Sequence, residues 1–287
     1  MSKANVTVGD SGIFDAKQLG VPKMLILGVQ HMFAMFGATI LVPILVNGYF
    51  NGEGLSIQVT LFFAGVGTLF FHCCTKLKVP AFLGSSFAYL GGFYMVSQLD
   101  TGIFANMTMG EKLPYACGGI VVAGLMYLIL AAIVKIVGVK RVMHFLPPIV
   151  TGPIIICIGL SLAPSAINNA STNWLLAFVA LAVVVIFNIW GKGMVKILPI
   201  LIGVLVSYAV ALVTGAVDFQ RISEAAWVGI PLHREAMGLF AIDGSSEFIS
   251  ALFTIIPIAL ATMMEHVGDI CAISSTVGKN YVADPGL

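Results

Sequence analysis

The chain of 287 residues holds 14 Lys+Arg and 13 Asp+Glu, so charged residues make up 9% against 59% hydrophobic ones, with a mean hydropathy of +1.03. A soluble domain has about 25% charged residues; this chain lacks the polar surface to cover a water-soluble fold and reads as an integral membrane protein. A formal net charge of +1 without a basic run argues against nucleic acid as a partner, and five cysteines without paired CxxC spacing suggest neither a disulfide framework nor a zinc site.

Residues 1–23 contain Lys3, Asp10, Asp15, Lys17 and Lys23 and no apolar run with a small-residue cleavage site, so no removable signal peptide is expected. A bilayer core of about 30 Å takes about 20 apolar residues at 1.5 Å each, and eight segments approach that length. In chain order they are Met24 to Val46, Leu55 to Thr75, Val79 to Gln98, Leu113 to Gly138, Phe145 to Ala163, Trp174 to Trp190, Val195 to Val217, and Phe248 to about Ser275. The fold class is therefore an all-α polytopic membrane protein.

With a cytoplasmic N-terminus, Lys3, Lys17, Lys23, Lys76, Lys78, Lys135, Lys140, Arg141, Lys192, Lys196 and Lys279 lie inside. Lys112, Arg221 and Arg234 lie outside, eleven basic residues against three. Dropping the third segment would put every later basic loop on the wrong side, so that segment is expected to cross. Asp218 to Glu247 forms the long extracytoplasmic connection, read as a solvated loop or as an interfacial or re-entrant lid.

The third segment holds Pro80, Gly84, Ser85, Ser86, Gly91 and Gly92. That composition favours a helix broken by an extended stretch, which transporters use to present backbone groups to a ligand. Close helix packing through Gly84 and Ala88, four apart, is the competing explanation.

Only two acidic residues fall inside a span. Glu265 and Asp269 are four apart in Ala-Thr-Met-Met-Glu-His-Val-Gly-Asp, which places both on one helical face. A carboxylate at mid-membrane costs about 2.5–3.5 kcal/mol on insertion scales and is usually functional. Two so close in a poorly solvated site are not expected to be ionised together, which suits proton coupling. The alternative for Asp269 is simple hydration near the cytoplasmic end. His31, beside Gln30 in the first span, reads by default as an interhelical hydrogen-bonding residue. His266, turned away from the Glu265 face, reads as a packing residue. No cluster has metal-ligand spacing, so neither metal nor cofactor is expected.

Several motifs in the right order resemble the nucleobase/ascorbate transporter family, most closely its bacterial uracil permeases. They are Gln30-His31 followed by Met35-Phe-Gly-Ala-Thr-Ile-Leu-Val-Pro43, then Pro80 through Gly84-Ser-Ser-Phe-Ala-Tyr89, then Glu265-His-Val-Gly268, and the closing Asp284-Pro-Gly-Leu287. The resemblance implies proton-coupled uptake of a nucleobase, uracil foremost, across the cell inner membrane by alternating access, and allows a homodimer of the full-length protein. It also implies fourteen spans in two inverted repeats of seven. Residues 24–138 would then be core-domain spans one to four, 145–217 gate-domain spans five to seven, and 248–287 the eighth, core span with the start of the following loop. By the same resemblance Glu265 accepts hydrogen bonds from ring N–H groups, the Phe87 backbone amide meets a ring carbonyl, and Ala38 lines the pocket; His31, Gln30 and Ser86 are structural or possible site residues.

Two departures follow. Uracil permeases tend to carry a histidine where this chain has Asp269, which resembles the xanthine-type members. The chain also ends after one span of the second repeat, without the tenth span whose extended part would pair with that of the third, so it is expected to be a fragment of a longer transporter. Functions of other classes are a passive channel or an intramembrane hydrolase, the latter on Gly268-Asp269 alone, without a second intramembrane aspartate or a G-x-S-x-G elbow.

Overall fold

In a bilayer a chain this apolar satisfies its backbone by forming helices. A computed structural model describes residues 19–52, 54–138, 141–142, 144, 148–220, 223, 229, 242 and 244–286, among which every regular element is helical and no strand occurs. Most of the expected N-terminal segment and of the 218–247 connection, together with Leu287, lie outside the described residues.

Helix α1 (Val21–Tyr49) runs to a turn closed by Asn47, whose Nδ2 donates to the Leu55 carbonyl (3.1 Å) while its Oδ1 accepts from the Leu55 N–H (2.6 Å). Helix α2 (Ile57–Cys74) starts at Ser56, whose hydroxyl accepts from the Val59 N–H. The chain then reverses through Lys76 and Leu77, both left-handed at φ +53° and +57°.

Residues 81–86 have no regular structure, and a 3-10 turn, Phe87–Tyr89, leads into the short helix α3 (Leu90–Ser97). The third segment is thus extended at its start and helical only from Phe87, with no helical half before the extended stretch. Neighbouring side chains hold that stretch. The Leu83 N–H donates to Thr68 Oγ1 of α2 (3.1 Å), and Ser85 Oγ donates to the Thr39 carbonyl of α1 (3.2 Å). These contacts supply partners that the missing helical ladder would have given.

Helix α4 (Met109–Val137) opens on a capping box between Thr108 and Glu111. Lys112, counted above as a loop charge, is buried in its first turn. Its Nζ donates to the carbonyls of Leu99 (2.7 Å) and Ser97 (3.4 Å), so the ammonium sits on the C-terminal carbonyls of α3.

Helix α5 (Pro148–Ser171) continues past Ala163, where the fifth segment was expected to end, and closes in the turn at Thr172 and Asn173, whose N–H groups donate to the Asn169 and Ala170 carbonyls. Asn173 caps α6 (Trp174–Trp190) at the expected bounds. The seventh segment is split at Leu198 into α7 (Met194–Ile197) and α8 (Pro199–Val213), since Pro199 lacks the N–H that would continue the ladder. Helix α9 (Ser246–Val277) is the eighth segment and ends on left-handed Gly278. By length and composition α1, α2, α4, Gly152–Ser171 of α5, and α9 are long and apolar enough to cross a membrane; α6 and α8 are shorter apolar helices.

The chain divides into two compact units. One contains Ala38–Ile158 and Pro231–Leu287, and there α9 packs along α4 and against α3 and the 3-10 turn. Fully buried Ile255 is its wedge. A Cβ on Gly119 of α4 would lie 2.8 Å from Ile255 Cδ1, and one on Gly92 of α3 would lie 2.8 Å from Ile258 Cδ1 and 3.4 Å from Ile255 Cγ1, so only glycine admits α9 this closely. At the other end of this unit Val79, Ile270, Tyr281 and Val282 form a buried cluster, flanked by the exposed Lys78–Asp284 ion pair at 2.7 Å. The second unit contains Asp15–Gly37 and Gly159–Ile230, where α6 packs on α8 and a Cβ on Gly203 would lie 2.7 Å from Val184 Cγ2.

Candidate functional site

A helix that carries carboxylates into the hydrocarbon has to give them a polar surrounding. On α9, Glu265 is half-buried and Asp269 is more open, and neither makes a hydrogen bond or an ion pair with another described residue. Both line a cavity of about 280 Å³ whose opposite wall is the extended stretch from Phe82 to Ser86 with Phe87 and Tyr89. That volume lies at the small end of ligand pockets and suits a single flat ring. A larger opening, about 820 Å³, lies among Lys78, Val79, Val277 and Asp284, but it gathers neither intramembrane carboxylate.

The broken backbone explains the polarity of the wall. Ser86 precedes the 3-10 turn with extended φ/ψ (−85°, 125°) and gives it no side-chain cap, which leaves the first amides of the turn uncapped beside the cavity. The Ser86 hydroxyl is buried and has no hydrogen-bond partner among the described residues. An unmade bond at such a group costs about 1–3 kcal/mol.

Of the residues singled out from the sequence, Glu265, Asp269, Phe87 and Ser86 are brought together here. Ala38, Gln30 and His31 are not among the residues that line this cavity. Ala38 is exposed; its neighbour Thr39 is the one that reaches the extended stretch, with Oγ1 3.2 Å from where a Cβ on Gly84 would stand. His266 departs from expectation. It lines the same cavity as Glu265, because one residue along a helix turns only 100° and the cavity wraps that far around α9.

The sequence reading passed over Thr262, Tyr127 and Tyr89. Thr262 Oγ1 lies 2.9 Å from the Ala259 carbonyl and 3.4 Å from the Tyr89 hydroxyl, one turn before Glu265 on the same face. Tyr127 of α4 sets its ring edge-on to His266, with centroids 6.0 Å apart at 89°. The available signal was a phenol in the middle of an otherwise apolar span, since a buried tyrosine hydroxyl normally seeks a partner.

Comparison with known proteins agrees with the motifs. Residues 22–287 match the family model described as Permease family (Xan_ur_permease). The chain is similar to the uracil permease of Bacillus caldolyticus, 36% identical over 276 residues, covering 93% of this chain and 59% of that protein. It is 36% identical over 272 residues to the uracil permease of Bacillus subtilis (strain 168), covering 90% and 58%. It is also 33% identical over 275 residues to the putative pyrimidine permease RutG of Escherichia coli (strain K12), covering 92% and 57%. The chain thus spans about three fifths of the length of these curated relatives. The relatives are permeases, so the hydrolase alternative is set aside. A family model matched over nearly the whole chain, and relatives a third or more identical along nine tenths of it, make this chain a member of the nucleobase/ascorbate transporter family of membrane permeases.

Proposed function

We propose that the chain serves uptake of a nucleobase, uracil foremost, in symport with protons across the cell inner membrane. The observation that carries this reading is the convergence of Glu265 with uncapped Phe87 and orphaned Ser86 on one small cavity. An ionised carboxylate accepts ring N–H groups, while a backbone amide donates to the neighbouring carbonyl, which is the alternation a nucleobase edge presents. Asp269, four residues on and in the same cavity, supports proton coupling, because no lysine or arginine is among the described lining residues to offset the pair.

The same proposal takes the membrane topology as eight spans with a cytoplasmic N-terminus, on the eleven-to-three distribution of basic residues. It takes transport as alternating access in a two-repeat transporter, with residues 24–138 and 248–287 in the core and 145–217 in the gate.

In proteoliposomes, labelled uracil should enter faster under an inwardly directed proton gradient, and Glu265→Gln should abolish binding or its pH dependence while the protein still inserts. Gradient-independent flux would instead indicate a passive channel, and unchanged affinity across pH in Glu265→Gln would remove that residue from the mechanism. Asp269 in the cavity favours one second reading, a xanthine-type purine permease, which competition between uracil and xanthine decides.

A further inference from the structure

We propose that His266 is a second ligand-contacting group of this cavity, held in place by the ring of Tyr127, and that it donates a ring N–H to an exocyclic carbonyl oxygen of a planar heterocycle. The inference rests on the nucleobase reading above. His266 follows Glu265 on α9, and both side chains line the cavity half-buried. No hydrogen bond joins the imidazole to another described residue. The imidazole lines the cavity with its donor capacity unused by the described residues, and a ligand carbonyl there would take it up. The edge-on contact with Tyr127, 6.0 Å and 89°, fixes the ring plane. Tyr127 is therefore a positioning residue, and α4 takes part in the site.

The chemistry separates His266 from its neighbours. The groups facing it are Glu265 and Asp269 of α9, the Tyr127 phenol of α4 and the Tyr89 phenol of the 3-10 turn. An ionised carboxylate only accepts, so Glu265 suits a ring N–H and Asp269 does not replace a donor, whereas an imidazole offers an N–H in either charge state. A ring whose N–H lies beside a C=O thus meets an acceptor and a donor from consecutive residues of one helix.

The test is equilibrium binding to the purified chain in nanodiscs, with uracil, 2-thiouracil and 4-thiouracil as probes and melting temperature measured in parallel. Sulfur accepts a hydrogen bond less well than oxygen, so the unmodified protein should bind one of the thio analogues about tenfold more weakly than uracil. His266→Ala should lose about tenfold for uracil and lose that discrimination. Tyr127→Leu should reproduce part of both effects, and Tyr127→Phe, which keeps the ring, should lose less. Discrimination that survives in His266→Ala would overturn the inference, as would a loss that follows melting temperature with discrimination intact. Failure of the unmodified protein to bind any of the three would overturn the uracil reading and this inference together, whereas uracil binding that His266→Ala leaves unchanged would overturn the inference alone.

Discussion

Asp269 lines the same cavity as Glu265 and is the more exposed of the two, so on the nucleobase reading it is the residue expected to meet a part of the ligand that Glu265 does not. A carboxyl acceptor there is expected to favour ligands with an additional N–H, as purine diones have, over a pyrimidine. Asp269→His should therefore raise the ratio of uracil to xanthine affinity by several-fold, as read by competition binding; identical competition profiles would show that the residue does not select. The acidic pair was legible in the sequence because the cost of charge in lipid makes it conspicuous and a spacing of four fixes a shared face. Phe87 came from the motif resemblance, and Ser86 from the composition of the third segment. Tyr127 was not legible, because its role depends on which face of α4 meets α9, and α4 is apolar all round.

At the scale of elements, the glycines of α3 and α4 set how closely α9 approaches. A methyl group on Gly119 would lie 2.8 Å from Cδ1 of fully buried Ile255, so that side chain has to shift to admit it. Gly119→Ala should cost about 1–3 kcal/mol, the usual range for overpacking, seen as a lower melting temperature. Adding Ile255→Val, which removes the clashing carbon, should recover most of it; simple additivity of the two would show that they do not touch. The spans were placed by apolar length alone, so the caps Asn173 and Ser245 were not used, and the eighth segment was started at Phe248 where the helix begins at Ser246. The third segment was readable as irregular but not in its detail. Proline and glycine mark where a helix fails, whereas the extended course of residues 81–86 depends on distant partners, Thr68 and Thr39, that no local pattern reveals. Leu198 shows the same limit, since an apolar run conceals a break that only the following proline marks.

At the scale of the whole molecule, the distribution of basic residues makes a topological prediction. Cysteines introduced at Lys76 and Lys279 should react with a membrane-impermeant maleimide only after permeabilisation, and one at Thr101 should react in intact cells. On a background without the native cysteines, labelling of all three from one side would exclude a crossing between Lys76 and Thr101. The class of protein was evident from composition alone, because so few charges cannot clothe a soluble surface.

The notch around Ile255 reaches further than its own neighbourhood. It lies about three helical turns from Glu265 on the same rod, so the rod's axial position, and with it the depth of the carboxylate, is indexed by two residues that have no side chain. Random mutagenesis screened for altered substrate preference should accordingly return changes at Gly92 and Gly119, remote from any bound ring, acting as a vernier on the site.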